Sequence, residues 1–449
     1  MQNLRIKIIA IAGVFILLGT ASCKKWINDT PQPEQVDQSA IFSTEKGFQE
    51  ALNGVYLQMG DSSLYGRDLT MGVLSLLGRS YDQNVSASLS SLFYQSARYN
   101  LKDQSVKVYS YGVWLKMYQS IANLNNLLTN IEAKKSMFTG NNYNQFKGEG
   151  LALRAYLHFD LLRLFTAAPV LGSASTPGIP YVTTISSTAT PTATVAEVLD
   201  KCITDLKAAE NLLNPGDLRN YQLNNWAIKG LLARLYLYKG DAVNAQSYAN
   251  AVIQSNKFVL SKNNTDLVFA SEGLFNLFAY QAQAFQKSVF ANQSNLGLSA
   301  TNQTAMYVTG SGAIADWRKS FVDPLTGFAS GNAFMPKKFY PFGKGTVPMI
   351  RLTEMYYIAA ECAANNNDLV NATALLDTVR VHRNLPKYTL TALSADSLGV
   401  EIRKEHQKEF IGEGQVFFYY KRKNIPFAAL PFTKVPVDAN ATYVFVKPE

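Results

Sequence analysis

The chain has 449 residues, 47% hydrophobic and 17% charged, enough apolar content to bury a large core and too much for a disordered or fibrous protein. The net charge of +9 is spread over short runs such as Lys24-Lys25, Lys134-Lys135, Lys337-Lys338 and Lys421-Arg422-Lys423. With no long basic stripe and no nucleic-acid motif, nucleic acid is not expected as a partner.

At the N-terminus, Arg5 and Lys7 precede an apolar run from Ile8 to Leu18 that is too short to span a bilayer. The run ends in Thr20-Ala21-Ser22-Cys23, and small residues directly before a Cys resemble a bacterial lipoprotein signal. Residues 1–22 are therefore expected to be a signal peptide and Cys23 the lipidated residue. Several acyl chains on one thiol anchor a protein stably, since each buried CH₂ contributes about 0.8 kcal/mol. Residues 23–41 are polar, carry Pro31 and Pro33, and read as a tether. Ser43-Thr44-Glu45 then signals a helix start, with Phe48, Leu52, Val55 and Tyr56 at helical spacing. Residues 60–107 have no sustained period and read as loops. Helical spacing returns from Tyr109 to Ile131.

The stretch from Gly148 to Phe165 is the one the chain is organised around. Leu153, Leu157, Leu161 and Leu164 form one apolar stripe, and Leu151, Ala155, Phe159 and Leu162 a second. A helix apolar on two sides is buried among neighbours, so Arg154, His158, Asp160 and Arg163 need partners or the rim. Arg154 is expected to pair with Glu405 or Glu409. Thr194 caps the next helix, which presents Val195, Val198, Leu199, Cys202, Ile203 and Leu206. Cys202 and Cys362 read as buried thiols, a disulfide between them being the alternative.

An internal repeat follows. Asp241, Val243, Asn244 and Ala245 recur as Asp368, Val370, Asn371 and Ala372, each set in a polar turn between two helical patterns. Small residues at the crossing and turn residues that accept left-handed backbone are the logic of tetratricopeptide hairpins. Residues 279–345 form a large insertion rich in Gln, Asn, Ser and Gly. Near the C-terminus, Glu405, Glu409 and Glu413 share one face of a predicted helix. Glycoside hydrolysis places two carboxylates across a cleft, so carboxylates along one helix read instead as structural partners of Arg residues. No His or Cys has metal-ligand spacing, and no nucleophile, Walker-type or dinucleotide motif occurs. Neither catalysis nor a metal or other cofactor is expected.

Three segments carry a family resemblance. Gly148 to Phe165 resembles the signature helix of the SusD/RagB family, with Gly150 where the family usually has Ala. Phe42 to Tyr56 is similar to the start of such domains. Glu405 to Gln415 resembles the family's C-terminal Glu-rich helix, with His406 and Val416 where Arg is usual and Tyr419 where Asp is usual. The resemblance implies a mainly α fold with little β, in which tetratricopeptide-like helix pairs support long irregular loops. It implies one domain over 42–449, with insertions at about 60–107 and 279–345. It implies an outer-membrane lipoprotein, facing outside, that hands a nutrient to a SusC-like TonB-dependent transporter. Oligosaccharide is the first ligand class; a peptide ligand or a helical-repeat adaptor that binds only proteins is the alternative. Loops on a helical scaffold are where binding residues sit. Tyr81, Tyr94 and Trp317 are thus the stacking candidates, and Asn84 and Arg98 the polar ones.

Overall fold

The computed structural model describes residues 38–82, 92–290, 296–307, 316–324, 333–339, 345–388, 394–432 and 435–448. The helices are α1 (Gln38–Ile41), α2 (Glu45–Met59), α3 (Val73–Leu77), α4 (Leu92–Ala97), α5 (Gln104–Ala133), α6 (Asn142–Phe165), α7 (Val195–Leu212), α8 (Asn225–Lys239), α9 (Ala242–Gln254), α10 (Ala282–Phe290), α11 (Ala300–Tyr307), α12 (Leu352–Asn365), α13 (Leu369–His382), α14 (Ala395–Glu409) and α15 (Gln415–Arg422). The strands are short: β1 (Pro177–Pro180), β2 (Thr192–Thr194), β3 (Gly273–Phe278), β4 (Leu298–Ser299), β5 (Val322–Pro324), β6 (Ala333–Pro336) and β7 (Thr346–Arg351). The architecture is mainly α, with tetratricopeptide-like hairpins and small antiparallel sheets.

Helix α6 is the strut that its two apolar stripes require. It lies between α5 and α7, and every residue from Gly148 to Phe165 is buried. Its charges find partners inside. Arg163 pairs with Asp160, which also accepts from the Tyr65 hydroxyl at 2.7 Å. His158 Nδ1 donates to the Arg154 carbonyl at 2.8 Å, and its Nε2 accepts from the Val182 amide at 3.0 Å. Burial drives the His158 pKa down to about 3, so its ring is neutral. The helix starts at Asn142, before the apolar stripes begin.

Arg154 does not pair with Glu405 or Glu409. It makes a fork to Asp205 on α7, Nε at 2.8 Å and Nη2 at 2.9 Å, and donates to Asn125 on α5 at 3.1 Å. The reason is placement: α6 faces α5 and α7, whereas α14 packs on α12 and α13.

The repeat folds as two equivalent hairpins, α8–α9 and α12–α13, joined by packing of α9 on α12. Gly240 (φ 91°) and Asn367 (φ 58°) take the left-handed turn. Asp241 and Asp368 then cap the second helices by accepting from the Asn244 and Asn371 amides at 3.0 and 3.1 Å. Thr194 and Glu197 make a reciprocal capping box at the start of α7. Cys202 and Cys362 are free and buried.

Residues 60–82 are core rather than exposed loop. Leu64, Tyr65, Leu69, Met71, Leu74, Leu76 and Leu77 are all sealed, through turns and the single short helix α3. Residues 104–107 already belong to α5, capped by Asp103. The C-terminal motif also departs from one continuous helix. α14 stops at Glu409, and Gly412 and Gly414 adopt φ of 78° and 74°. A Cβ on Gly414 would sit 2.2 Å from the Leu69 carbonyl, so this turn needs glycine to close against residues 60–82. One continuous apolar cluster runs from Phe42 to Phe445. Among the described residues, no helix is long and apolar enough to cross a membrane.

Candidate functional site

Strands β3 and β7 pair as an antiparallel ribbon in which Gly273 faces Arg351 at one end and Phe278 faces Thr346 at the other. The two ends carry opposite chemistry.

At the first end lies a sealed ion-pair network. Glu409 accepts from Arg318 at 2.9 Å, Arg351 at 2.8 Å and Arg383 at 2.8 Å. Glu405 accepts from Arg318 at 2.8 Å and Arg380 at 3.3 Å. Glu272 accepts from Arg383 at 2.7 Å and Arg351 at 3.3 Å, and Glu413 from Arg351 at 3.0 Å and from Lys338. Burial opposes ionisation of Glu405, but Arg318 and Lys408 outweigh it and hold its pKa down to about 2. Glu409 is held well below the usual range against the same burial, by Arg383, Arg351 and Arg318. None of these side chains is more than 8% exposed and every carboxylate is sealed to within 3%, so no carboxylate here faces a substrate.

At the second end lies an open groove of about 540 Å³. Helix α2 contributes Asn53, Tyr56 and Leu57; the segment before α8 contributes Arg219, Asn220, Tyr221 and Gln222; β3 contributes Leu277 and Phe278. Tyr221 is 48% and Phe278 50% exposed, so each presents ring surface to solvent. The Tyr221 hydroxyl is tied to Thr346 Oγ1 at 2.7 Å, which fixes its ring. Arg219 is held by Asp217, and Asn220 is anchored by donating to the Gly273 carbonyl at 3.2 Å and accepting from the Asn276 amide at 2.6 Å. Tyr56 connects the groove to the core. Its hydroxyl accepts from the Leu223 amide at 2.9 Å and donates to Glu149 on α6 at 3.0 Å. Burial lifts the Glu149 pKa to about 7, against hydrogen bonds from Gln145 and Tyr56. Exposed rings beside amide and guanidinium groups suit a ligand with an apolar face and hydroxyl edges.

Residues 29–237 match a family model described as starch-binding and associating with the outer membrane, and residues 234–440 match the SusD family model. The chain belongs to the SusD/RagB family. A SusD-like protein of Formosa agariphila is 27% identical over 119 residues, which are 26% of this chain and 22% of that protein, so the match spans about a fifth of that relative. A SusD superfamily protein of Bacteroides thetaiotaomicron is similar in structure, with a TM-score of 0.71 and 24% identity over 85% of this chain and 89% of that one. A SusD-like carbohydrate binding protein of Bacteroides vulgatus gives 0.69 and 20% over 85% and 83%. A SusD superfamily protein of Bacteroides fragilis gives 0.70 and 21% over 85% and 91%. These likenesses establish the SusD fold.

On this SusD fold the residues singled out from sequence do not form one surface. Tyr81 is buried, its ring edge-on to Phe290 at 5.4 Å, so it offers no face to a sugar. It follows α3, in the segment that fills the core. Tyr94 is half-buried beneath the Arg98 guanidinium at 5.5 Å, and Arg98 pairs with Asp438 at 3.1 Å. Trp317 is half-buried between Phe269, Phe321 and Arg383, its Nε1 donating to the His382 carbonyl at 2.8 Å. Asn84 and Cys23 lie outside the described residues. The groove residues share no sequence pattern because they come from three separate segments. The one local signal is Arg219-Asn220-Tyr221-Gln222, an aromatic set among polar groups just before a helix.

Proposed function

We propose that this SusD-family chain captures an oligosaccharide outside the cell and passes it to a TonB-dependent transporter, bound to the outer membrane through lipid on Cys23. Binding, not bond cleavage, is the role. The observation that carries this reading is the pair of exposed rings, Tyr221 and Phe278, flanked by Asn53, Arg219, Asn220 and Gln222 in one groove. A sugar ring lays its C–H face on an aromatic, while amides and guanidinium bond its hydroxyls. The family description, starch-binding and associated with the outer membrane, supports the ligand class and the location. Tyr94, Arg98 and Trp317 remain proposed contacts from the two insertions, with Asn84 alongside them.

Calorimetry of the chain from Lys24 against a panel of glycans and peptides tests the ligand class. Heat with at least one glycan and none with peptides is expected; peptide binding alone would replace this reading with the peptide-binding or adaptor alternative. Labelled palmitate should enter the wild type and not Cys23→Ala, and equal labelling would remove the anchor from the proposal.

A further inference from the structure

A second polar site lies between α6, α8, α12, α14 and α15. It has an inner chamber of about 50 Å³ whose wall includes Arg163, Arg234, Tyr238, Glu354 and His406. The chamber shares Leu237, Tyr238 and Arg422 with an outer cleft of about 470 Å³ that also reaches Lys239 and Lys423. A single water needs roughly 10–15 Å³ of such space, so the chamber holds a group larger than one water.

The donors in this wall are in excess. Arg234 donates Nε to Glu354 at 2.6 Å and Nη2 to Glu354 and the Met349 carbonyl at 2.7 Å each, while its buried Nη1 makes no hydrogen bond among the described residues, and neither does the neighbouring Tyr156 hydroxyl. The buried Tyr238 hydroxyl has none either. Arg163 Nη1 has only a long 3.5 Å contact with Gln415. The nearby carboxylates are already taken: Glu354 by the Arg234 fork, Glu361 by an Arg422 fork at 2.6 and 2.7 Å with Lys423 at 3.4 Å, and Asp160 by Arg163. Unpaired buried donors are costly, and guanidinium groups match oxyanion geometry. One acceptor faces the chamber as well. His406 gives its Nδ1 to the Ile402 carbonyl at 3.0 Å, which leaves Nε2 with a lone pair. Burial drives its pKa down to about 4, so the ring is neutral.

We propose that this chamber binds a phosphate group, with Arg234, Tyr238 and Arg163 donating to its oxygens and His406 Nε2 accepting from its remaining O–H. Sulfate is fully deprotonated at neutral pH and cannot satisfy His406, so it binds more weakly. The cationic outer cleft, with Arg422 and Lys423 in its wall, admits either the free ion or an ester, bound as the monoanion that keeps one O–H, whose remainder lies outside.

The test is equilibrium binding to the chain from Lys24 in a phosphate-free buffer, using inorganic phosphate, sulfate and glucose 1-phosphate. One phosphate per chain is expected, with sulfate at least tenfold weaker; glucose 1-phosphate binding as well as phosphate would assign an esterified ligand, and its exclusion the free ion. Tyr238→Phe should weaken phosphate about tenfold while leaving the melting temperature of the unliganded protein unchanged or higher, because it removes an unpartnered hydroxyl. Failure of wild type to bind phosphate, phosphate and sulfate binding equally as adventitious ions only, or Tyr238→Phe binding like wild type would each overturn the proposal. These outcomes are independent of whether the aromatic groove binds a glycan.

Discussion

The two ends of the β3–β7 ribbon use similar side chains to opposite ends. At Arg351, every guanidinium meets a carboxylate and water is shut out. At Phe278, rings, amides and Arg219 stand open around a groove. A charged cluster whose members satisfy one another has nothing left for a ligand; it fixes how α13, α14 and β7 meet. Ring faces and amide edges left unspent are where recognition is available.

The largest expected effect lies at the closed end. Glu409 touches three arginines, so Glu409→Leu takes a carboxylate from Arg318, Arg351 and Arg383 at once and leaves Glu405, Glu413 and Glu272 to balance an excess of positive charge in the buried cluster. Urea denaturation should show a loss of about 5 kcal/mol. A loss under about 1 kcal/mol would mean that the network is hydrated like a surface cluster, and the contrast between the ends would fail. Arg154→Leu should cost less, about 3 kcal/mol, because Asp205 keeps the Tyr181 hydroxyl at 2.6 Å. Asp205→Asn should remove most of that difference in a double-mutant cycle, whereas additive losses would show that the fork is not the coupling.

How much of this can be read from the chain differs by region for a physical reason. Helix α6, the paired turns at Asp241 and Asp368, and the Thr194 cap are visible because periodicity and capping act over a few residues. The partner of Arg154 is not visible, since many carboxylates are chemically equivalent and only helix placement selects Asp205. Residues 60–82 look like loop because their buried Leu, Tyr and Met follow turns rather than a period. The groove is least legible of all. Asn53, Tyr221 and Phe278 are brought together by tertiary packing, and only Tyr221, set among Arg219, Asn220 and Gln222, carries any local mark.

Glu149 sits where the two environments meet, buried on α6 but bonded through Tyr56 to the groove. Its pKa rises on folding from 4.5 to about 7, so the fold favours the protonated form. That preference is fully present below pH 4.5 and is lost as pH rises through about 7. Glu149→Gln cannot ionise. It should therefore exceed wild type in stability at pH 8 by roughly 3 kcal/mol, with the gain gone at pH 4. Urea midpoints at the two pH values measure this, and a difference independent of pH would show that Glu149 is not sealed from solvent.

The smallest stability effect belongs to the open end, and it sharpens the comparison most. Phe278 and Tyr221 each leave about half their surface in water, so truncation creates no closed cavity. Phe278→Ala should change stability by less than about 0.5 kcal/mol. Tyr221→Ala adds the loss of one bond to Thr346, about 1 kcal/mol. Affinity for a glycan bound by the wild type should nonetheless fall about fivefold in each, because an aromatic face stacked on a ligand contributes on the order of 1 kcal/mol. The opposite pattern is expected at Arg383. Arg383→Met should unfold the protein readily while leaving no direct mark on glycan contacts in whatever fraction stays folded. If instead both ring variants lost several kcal/mol of stability and kept their affinity, the aromatics would be core residues at the rim, and the ligand would have to be sought at Tyr94 or Trp317.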